Sequence, residues 1–211
     1  MEILLVRHGE STANTDRVLS NTGWRHGLTE KGMEQSKHAA DMLIPFFGRP
    51  DRIYASGLKR AHETAAIIAR LINTEMRTMP ELGEVSVGIL EGKSDEDSWR
   101  LHNSIWDRWF LKGESDARIP GGESLREATL RFKAVVRRLE EEEGSDSKVV
   151  LVTHGGFMLA GLLNLVYGVP EFIPRRGYLG NCDMVSISHK EESFVFVGYS
   201  PGLRQPSVRQ D

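Results

Sequence analysis

Ile3-Leu4-Leu5-Val6 runs straight into Arg7-His8-Gly9-Glu10, and Val149-Val150-Leu151-Val152-Thr153 runs into His154-Gly155-Gly156. Each is a short, unbroken apolar run, the pattern of a strand buried on both faces. A strand that ends in His-Gly delivers an imidazole to the rim of a sheet, where open α/β sheets bind their ligands. If the two strands are neighbours, two imidazoles face each other beside Arg7. Such a set is suited to gripping a phosphoryl group and attacking it with nitrogen.

Outward from these runs, strands alternate with helices. Thr29 is a candidate N-cap for a helix to about Leu43, stopped before Pro45, and residues 11–28 read as loop. Residues 52–56 read as a strand, 58–72 as a helix with Ala61, Ala65, Ile68, Leu71 and Ile72 on one face, and 74–79 as a short strand. Residues 93–119 form a polar, aromatic insert. A helix follows over 124–143, with Leu125, Ala128, Phe132, Val135, Val136 and Leu139 as its stripe. After the strand at 148–153 come an apolar helix (157–166) and a hairpin (184–188 and 194–199). The expected fold is a three-layer α/β/α sandwich, with a mostly parallel sheet, an antiparallel edge strand from the hairpin and a small helical cap insert. One domain is expected over residues 1–199, followed by a mobile polar tail over 200–211.

The chain has 211 residues, 39% of them hydrophobic, enough for one large core. A net charge of -3 gives no electrostatic case for nucleic acid. One cysteine, Cys182, excludes an intrachain disulfide and fits a reducing compartment. No apolar stretch reaches the length of a membrane span, and the first residues lack the pattern of a signal peptide. The expectation is a cytoplasmic protein, without a membrane or nucleic-acid partner, monomeric or homodimeric, acting on a small phosphorylated molecule.

Single motifs here carry little. Arg-His-Gly occurs twice, at residues 7–9 and again at Arg25-His26-Gly27, where a surface histidine is the natural reading. On its own His8 fits a satisfied strand-end histidine equally well, and Arg60, in the first turn after Ser56-Gly57-Leu58-Lys59, fits a surface arginine. Gly155-Gly156 allows close approach of backbone amides to an anion, and the following helix start offers unpaired N–H groups. The loop Leu82-Gly83-Glu84-Val85-Ser86-Val87-Gly88-Ile89-Leu90-Glu91-Gly92 sets two carboxyl groups in apolar surroundings, which suit a proton donor. Glu91 also fits a solvated loop position.

The ordered set is more specific. Arg7-His8-Gly9-Glu10-Ser11 with Asn14, Leu28 to Gly32, Ser56 to Ala65, Glu84 to Gly92, Pro120 to Ser124 and Val152 to Gly156 resemble the histidine phosphatase superfamily, also called phosphoglycerate mutase-like. The resemblance implies His8 as the nucleophile that becomes phosphohistidine. It implies Arg7, Arg60 and His154 as the phosphate pocket, Asn14 as a further donor, and Glu84 as general acid and base. Thr22, Gly23 and Gly155 join the expected substrate contacts. His26, Gly27, Gly83 and Ile89-Leu90 depart from residues frequent in the family.

Chemistry agrees with those roles. A neutral imidazole is a nucleophile near pH 7, provided its other ring nitrogen is held by a hydrogen bond. Two arginines and a protonated His154 would supply cationic donors to a transition state with charge on three oxygens. No metal or cofactor is called for. The expected activity is phosphomonoester hydrolysis. Against five cations in the insert (Lys93, Arg100, Arg108, Lys112, Arg118) stand six acids, a balance that disfavours a multiply phosphorylated ligand. Trp99, Trp106 and Trp109-Phe110 fall on one helical face, either packing the insert or lining a substrate mouth. Asn21-Thr22-Gly23-Trp24 resembles a mutase pattern, which would bring 2,3-bisphosphoglycerate as cofactor. An inactive phosphate-binding relative is the remaining alternative.

Overall fold

The computed structural model describes residues 1–173 and 179–203. Its centre is a seven-stranded mixed sheet. Strand β1 (Glu2–Arg7) lies between β4 (Lys148–Thr153), parallel to it, and β6 (Met184–Lys190), antiparallel. Beyond β4 come β2 (Arg52–Ala55) and β3 (Met76–Thr78), both parallel. Beyond β6 comes β7 (Ser193–Ser200), and the two-residue β5 (Val166–Tyr167) closes that side. The expected hairpin is present, and its antiparallel strands sit one and two places in from that edge.

Alternation along the strands explains the layers. Leu4, Val6, Ile53, Ala55, Val150 and Val152 turn to one face, where α2 (Glu30–Phe47) and α3 (Lys59–Ile72) cover them. Ile3, Leu5, Tyr54, Val149 and Leu151 turn to the other, against α5 (Leu125–Glu143) and α6 (Gly155–Leu165). With both faces buried, the central strands tolerate apolar residues throughout, hence the unbroken runs that mark them in the sequence. The insert forms α4 (Glu96–Phe110), capped by the Asp95 side chain, and packs Ile105 and Trp109 over Val85, Val87, Leu90 and Ile119.

Two expectations shift. The loop after β1 contains a short helix, α1 (Thr12–Thr15), closed by a capping box between Ser11 and Asn14. Helix α2 starts at the Thr29 cap as expected but does not stop before Pro45; it runs through it to Phe47 and ends at Gly48, φ 88°. Proline removes one N–H, and the carbonyl it would have served belongs to the exposed Asp41 in the last turns, where solvent replaces the bond. Residues 200–202, assigned to the tail, are held: Ser200 pairs with Met184, and the Gly202 N–H donates to Asp183 Oδ1 at 2.8 Å. The remaining tail, residues 204–211, lies outside the described residues.

Helices α5 and α6 meet closely because α6 carries Gly161. A Cβ there would lie 2.4 Å from a ring carbon of Phe132, which is fully buried. Gly161→Ala is therefore expected to cost about 1–3 kcal/mol through overpacking. Urea unfolding checks this as a lower midpoint at unchanged slope; stability equal to wild type would contradict the packing.

Candidate active site

Three neighbouring parallel strands each release one polar side chain just past their ends. Arg7 pairs with Thr153 in the last rung of β1 and β4, so His8 and His154 come next, side by side. Their ring centroids are 5.1 Å apart, tilted by 59°. From β2, Ser56 follows Ala55, and its Oγ lies 2.8 Å from His154 Nε2. The turn after β1 is pinned from α3 and α2: Gly9 N–H donates to Thr64 Oγ1 at 3.0 Å, and Glu10 N–H to Gln35 Oε1 at 2.8 Å.

The tautomer of His8 is fixed from both ends. Arg60 Nε can only donate, and it lies 3.1 Å from His8 Nε2, so that nitrogen carries the lone pair. The proton is then on Nδ1, which donates to the Gly9 carbonyl at 2.7 Å. Arg60 is itself buried and anchored by Nη2 on the Ser20 carbonyl, 2.8 Å away. Arg7 donates through Nη1 to the Leu179 carbonyl, while its Nε is buried without a partner, as is Nδ1 of His154.

Both histidines are neutral. Burial pushes the His8 imidazole well below its ordinary value, and the Arg60 and Arg7 charges push it further. His154 is lowered well below the ordinary range by the same causes, burial first and Arg60 next. An imidazolium at His154, away from solvent and beside the Arg60 and Arg7 guanidinium groups, is costly in the protein alone; the cationic donor expected at the transition state belongs to a different condition, with phosphoryl charge present.

Glu84 occupies the start of α6. Its carboxylate accepts N–H bonds from Phe157 (2.9 Å), Gly156 (3.1 Å) and its own neighbour Val85 (2.8 Å). The helix start that the sequence offered to a bound anion is therefore taken by a carboxylate of the chain. Gly156 makes this possible, since a Cβ there would fall 2.5 Å from Glu84 Oε1.

A cavity of about 480 Å³ opens over these groups, lined by Arg7, His8, Asn14, Arg60, Glu84 and Gly155 from the expected set. His154 lies beneath them, fully buried. Asn14 Oδ1 accepts from Ser11 N–H at 3.1 Å, which leaves its amide N–H group as the donor. Thr22 and Gly23 stand apart. Both are exposed and neither lines the cavity: the Thr22 N–H faces the Glu91 carboxylate at 3.3 Å, and Trp24 leans edge-on against His62. Glu91, also accepting from Asn21 N–H at 2.8 Å, ties this loop down. Among the described residues no group of three or more His, Cys, Asp or Glu side chains is placed to hold a metal ion. None of the described helices is long and apolar enough to cross a membrane.

The family model described as histidine phosphatase superfamily (branch 1) matches residues 3–200. The chain belongs to that superfamily. Histidine phosphatase relatives include a probable phosphoglycerate mutase GpmB of Enterobacter sp. (strain 638), 33% identical over 200 residues, 94% of this chain and 90% of that protein. The protein of the same description from Salmonella paratyphi C (strain RKS4594) is 32% identical over the same shares. The fold is shared with a mycobacterial glucosyl-3-phosphoglycerate phosphatase in complex with VO3 (TM-score 0.78, 24% identity, 93% of this chain and 96% of that one). It is shared also with the alpha-ribazole phosphatase from Shigella flexneri (TM-score 0.73, 22% identity, 97% and 100%). The protein is thus an enzyme of the histidine phosphatase type.

Several residues of this histidine phosphatase site carried no signal in the sequence. Arg131, from the middle of α5, donates to the Gly83 carbonyl at 2.9 Å, pairs with Glu123 and lies over the Phe157 ring at 4.2 Å. It braces the loop of Glu84 from far along the chain, beyond any local pattern. Asn181 donates to the His8 carbonyl at 3.0 Å, and Asp183 holds the same turn by accepting from Gly180 N–H at 2.6 Å. His102 and Asn103, in α4, line the cavity wall.

The neutrality of the two histidines has a consequence for stability. Unfolded, each takes up a proton near pH 6.5; folded, each resists it to a lower pH. Stability that is complete above about pH 6.5 is therefore lost as pH falls below that value, by up to roughly 1.4 kcal/mol per pH unit for each histidine. Urea unfolding at pH 7, 6.5, 6 and 5.5 should show a slope reduced in His8→Asn relative to wild type, by about half a proton at pH 6.5 and nearly one at pH 5.5. Identical slopes would contradict a neutral His8.

Proposed function

We propose that the protein hydrolyses small phosphomonoesters through a phosphohistidine on His8, without a metal. The observation that supports this most is His8 itself: a lone pair on Nε2, in a tautomer locked by the Gly9 carbonyl, between two buried guanidinium groups.

In the first step Nε2 attacks phosphorus, the ester P–O bond breaks and the leaving oxygen takes a proton from Glu84. Water then attacks phosphorus, gives a proton to Glu84, and the P–N bond breaks to release inorganic phosphate and restore the lone pair. Arg7 Nε, without a partner in the protein, is a donor for an equatorial oxygen, and Arg60 must move its Nε–H from His8 to the phosphoryl group as attack begins. Arg60 needs only this local shift, since its Nη2 stays anchored on the Ser20 carbonyl, so most of the cationic environment is in place before charge develops. A phosphoryl dianion between the rings also offsets the arginine charges that keep His154 neutral, and so favours its taking a proton at that stage.

Water as acceptor is favoured by the walls. None of the five insert cations lines the cavity; Arg100, Arg108 and Arg118 pair instead with Asp97, Glu114 and Glu127. Of the segment resembling a mutase pattern, Asn21 lines the cavity and Thr22 and Gly23 stay outside it. The second reading is a phosphoglycerate mutase using 2,3-bisphosphoglycerate, favoured by the description of the 33% identical Enterobacter relative.

A chromogenic aryl phosphate in EDTA tests the proposal. Wild type should turn over, His8→Ala should lose at least about a thousandfold in kcat, and Glu84→Gln about a hundredfold to ten-thousandfold. With 3-phosphoglycerate and 2,3-bisphosphoglycerate together, phosphate release should exceed isomerisation. Faster isomerisation, or turnover that survives His8→Ala, contradicts the proposal.

A further inference from the structure

We propose that the α4 wall of the cavity is a stacking subsite for a flat, carbon-rich ring in the leaving group of the phosphomonoester. The inference rests on the hydrolytic reading above and adds the substrate class to it.

The wall is built from Trp99, Trp106 and Trp109 with His102 between the first two. An indole has one polar atom, its N–H, and that atom only donates. All three are used inside the protein: Trp99 Nε1–H goes to the Arg17 carbonyl at 2.7 Å, Trp106 to His102 Nε2 at 2.8 Å, and Trp109 to the Ala117 carbonyl at 2.6 Å. What the three rings offer to the cavity is therefore carbon and π-surface, not hydrogen bonds.

The rings also brace one another. His102 sits 5.3 Å from Trp99 and 5.5 Å from Trp106, and Trp106 sits 5.6 Å from Trp109, centroid to centroid. Because Trp106 can only donate, His102 must accept on Nε2. It is then the neutral tautomer with its proton on Nδ1, facing Asn103 Oδ1 at 3.3 Å. Burial lowers its proton affinity in the same direction. The rings thus carry no charge themselves, though the Asp107 carboxylate lines the same wall and the Arg17 guanidinium lies over Trp99 at 5.7 Å, and their orientation is held before any ligand arrives, which limits the entropy lost on binding.

Position completes the case. A Cβ at Gly156 would lie 3.2 Å from Trp106 Cζ2 and 2.5 Å from Glu84 Oε1. The indole edge therefore begins where the group that protonates the leaving oxygen ends. A ring joined to the ester oxygen by a short link meets that wall first. Trp109 is buried in the packing of the cap; Trp99 and Trp106 pack against the same cluster with one side and stay partly open on the cavity side.

The test compares 2-naphthylmethyl, benzyl and ethyl phosphate, whose leaving groups are all simple primary alcohols, on the full-length protein. Stacking on aromatic side chains predicts kcat/KM for the naphthylmethyl ester about tenfold to a hundredfold above the ethyl ester, expressed mainly in KM. Trp106→Leu should reduce that ratio about tenfold and Trp106→Phe should keep most of it. Equal kcat/KM for the three esters, or a proportional loss on all three in Trp106→Leu, overturns the subsite and leaves hydrolysis standing. If no ester is hydrolysed, the hydrolytic reading falls and binding decides the subsite. Quenching of tryptophan fluorescence by 2-naphthylmethylphosphonate at a Kd at least about tenfold below that of ethylphosphonate supports it, and equal Kd values overturn it.

Discussion

Parallel pairing of β1 with β4, in register from Glu2↔Lys148 to Arg7↔Thr153, is the constraint from which the site follows. Two imidazoles meet because each is the first residue after the last rung. Neither strand bears the chemistry alone, and a slip of one residue would turn Leu4 and Val6 from α2 and α3 toward the opposite layer. Register is therefore held by the core of the protein, far from any substrate. The same pairing brings Arg7 to the rim and, through β2, sets Ser56 against His154.

Charge is arranged around that pairing in a way that serves two states. Buried arginines make protonation of the histidines costly, so the nucleophilic nitrogen keeps its lone pair. Those cations then serve as donors once a phosphoryl group enters. Arg60 holds the balance directly, since its Nε–H rests on the nitrogen that must attack. Glu84 is held beside this cluster by two backbone N–H groups at the start of α6 and by that of Val85, which fix where a proton can be delivered.

Much of this was legible in the sequence because it is local. Apolar runs identify β1 and β4 with the residues after them, a capping Thr29 starts α2, and stripes define α3 and α5. What escaped depends on contacts between distant segments. The N–H groups of α6 looked free for a ligand, and a glutamate 72 positions earlier fills them. Arg131 reads as one more charge on an amphipathic helix, yet it braces the loop of Glu84. The lowered proton affinity of His154 could not be read either, because burial is a property of the whole fold. Thr22 and Gly23 followed a family pattern, and here Glu91 and His62 hold that segment on the rim.

The account depends on one atom, Nε2 of His8, acting as the nucleophile. Long-range proton–nitrogen correlation and phosphorus NMR on the phosphoenzyme, trapped by alkaline quench and labelled with nitrogen-15 at histidine, test it most directly. Phosphorus bonded to Nε2 of His8, with Nδ1 unsubstituted, is the predicted result. Phosphorus on Nδ1 of His8, or on His154, would contradict it.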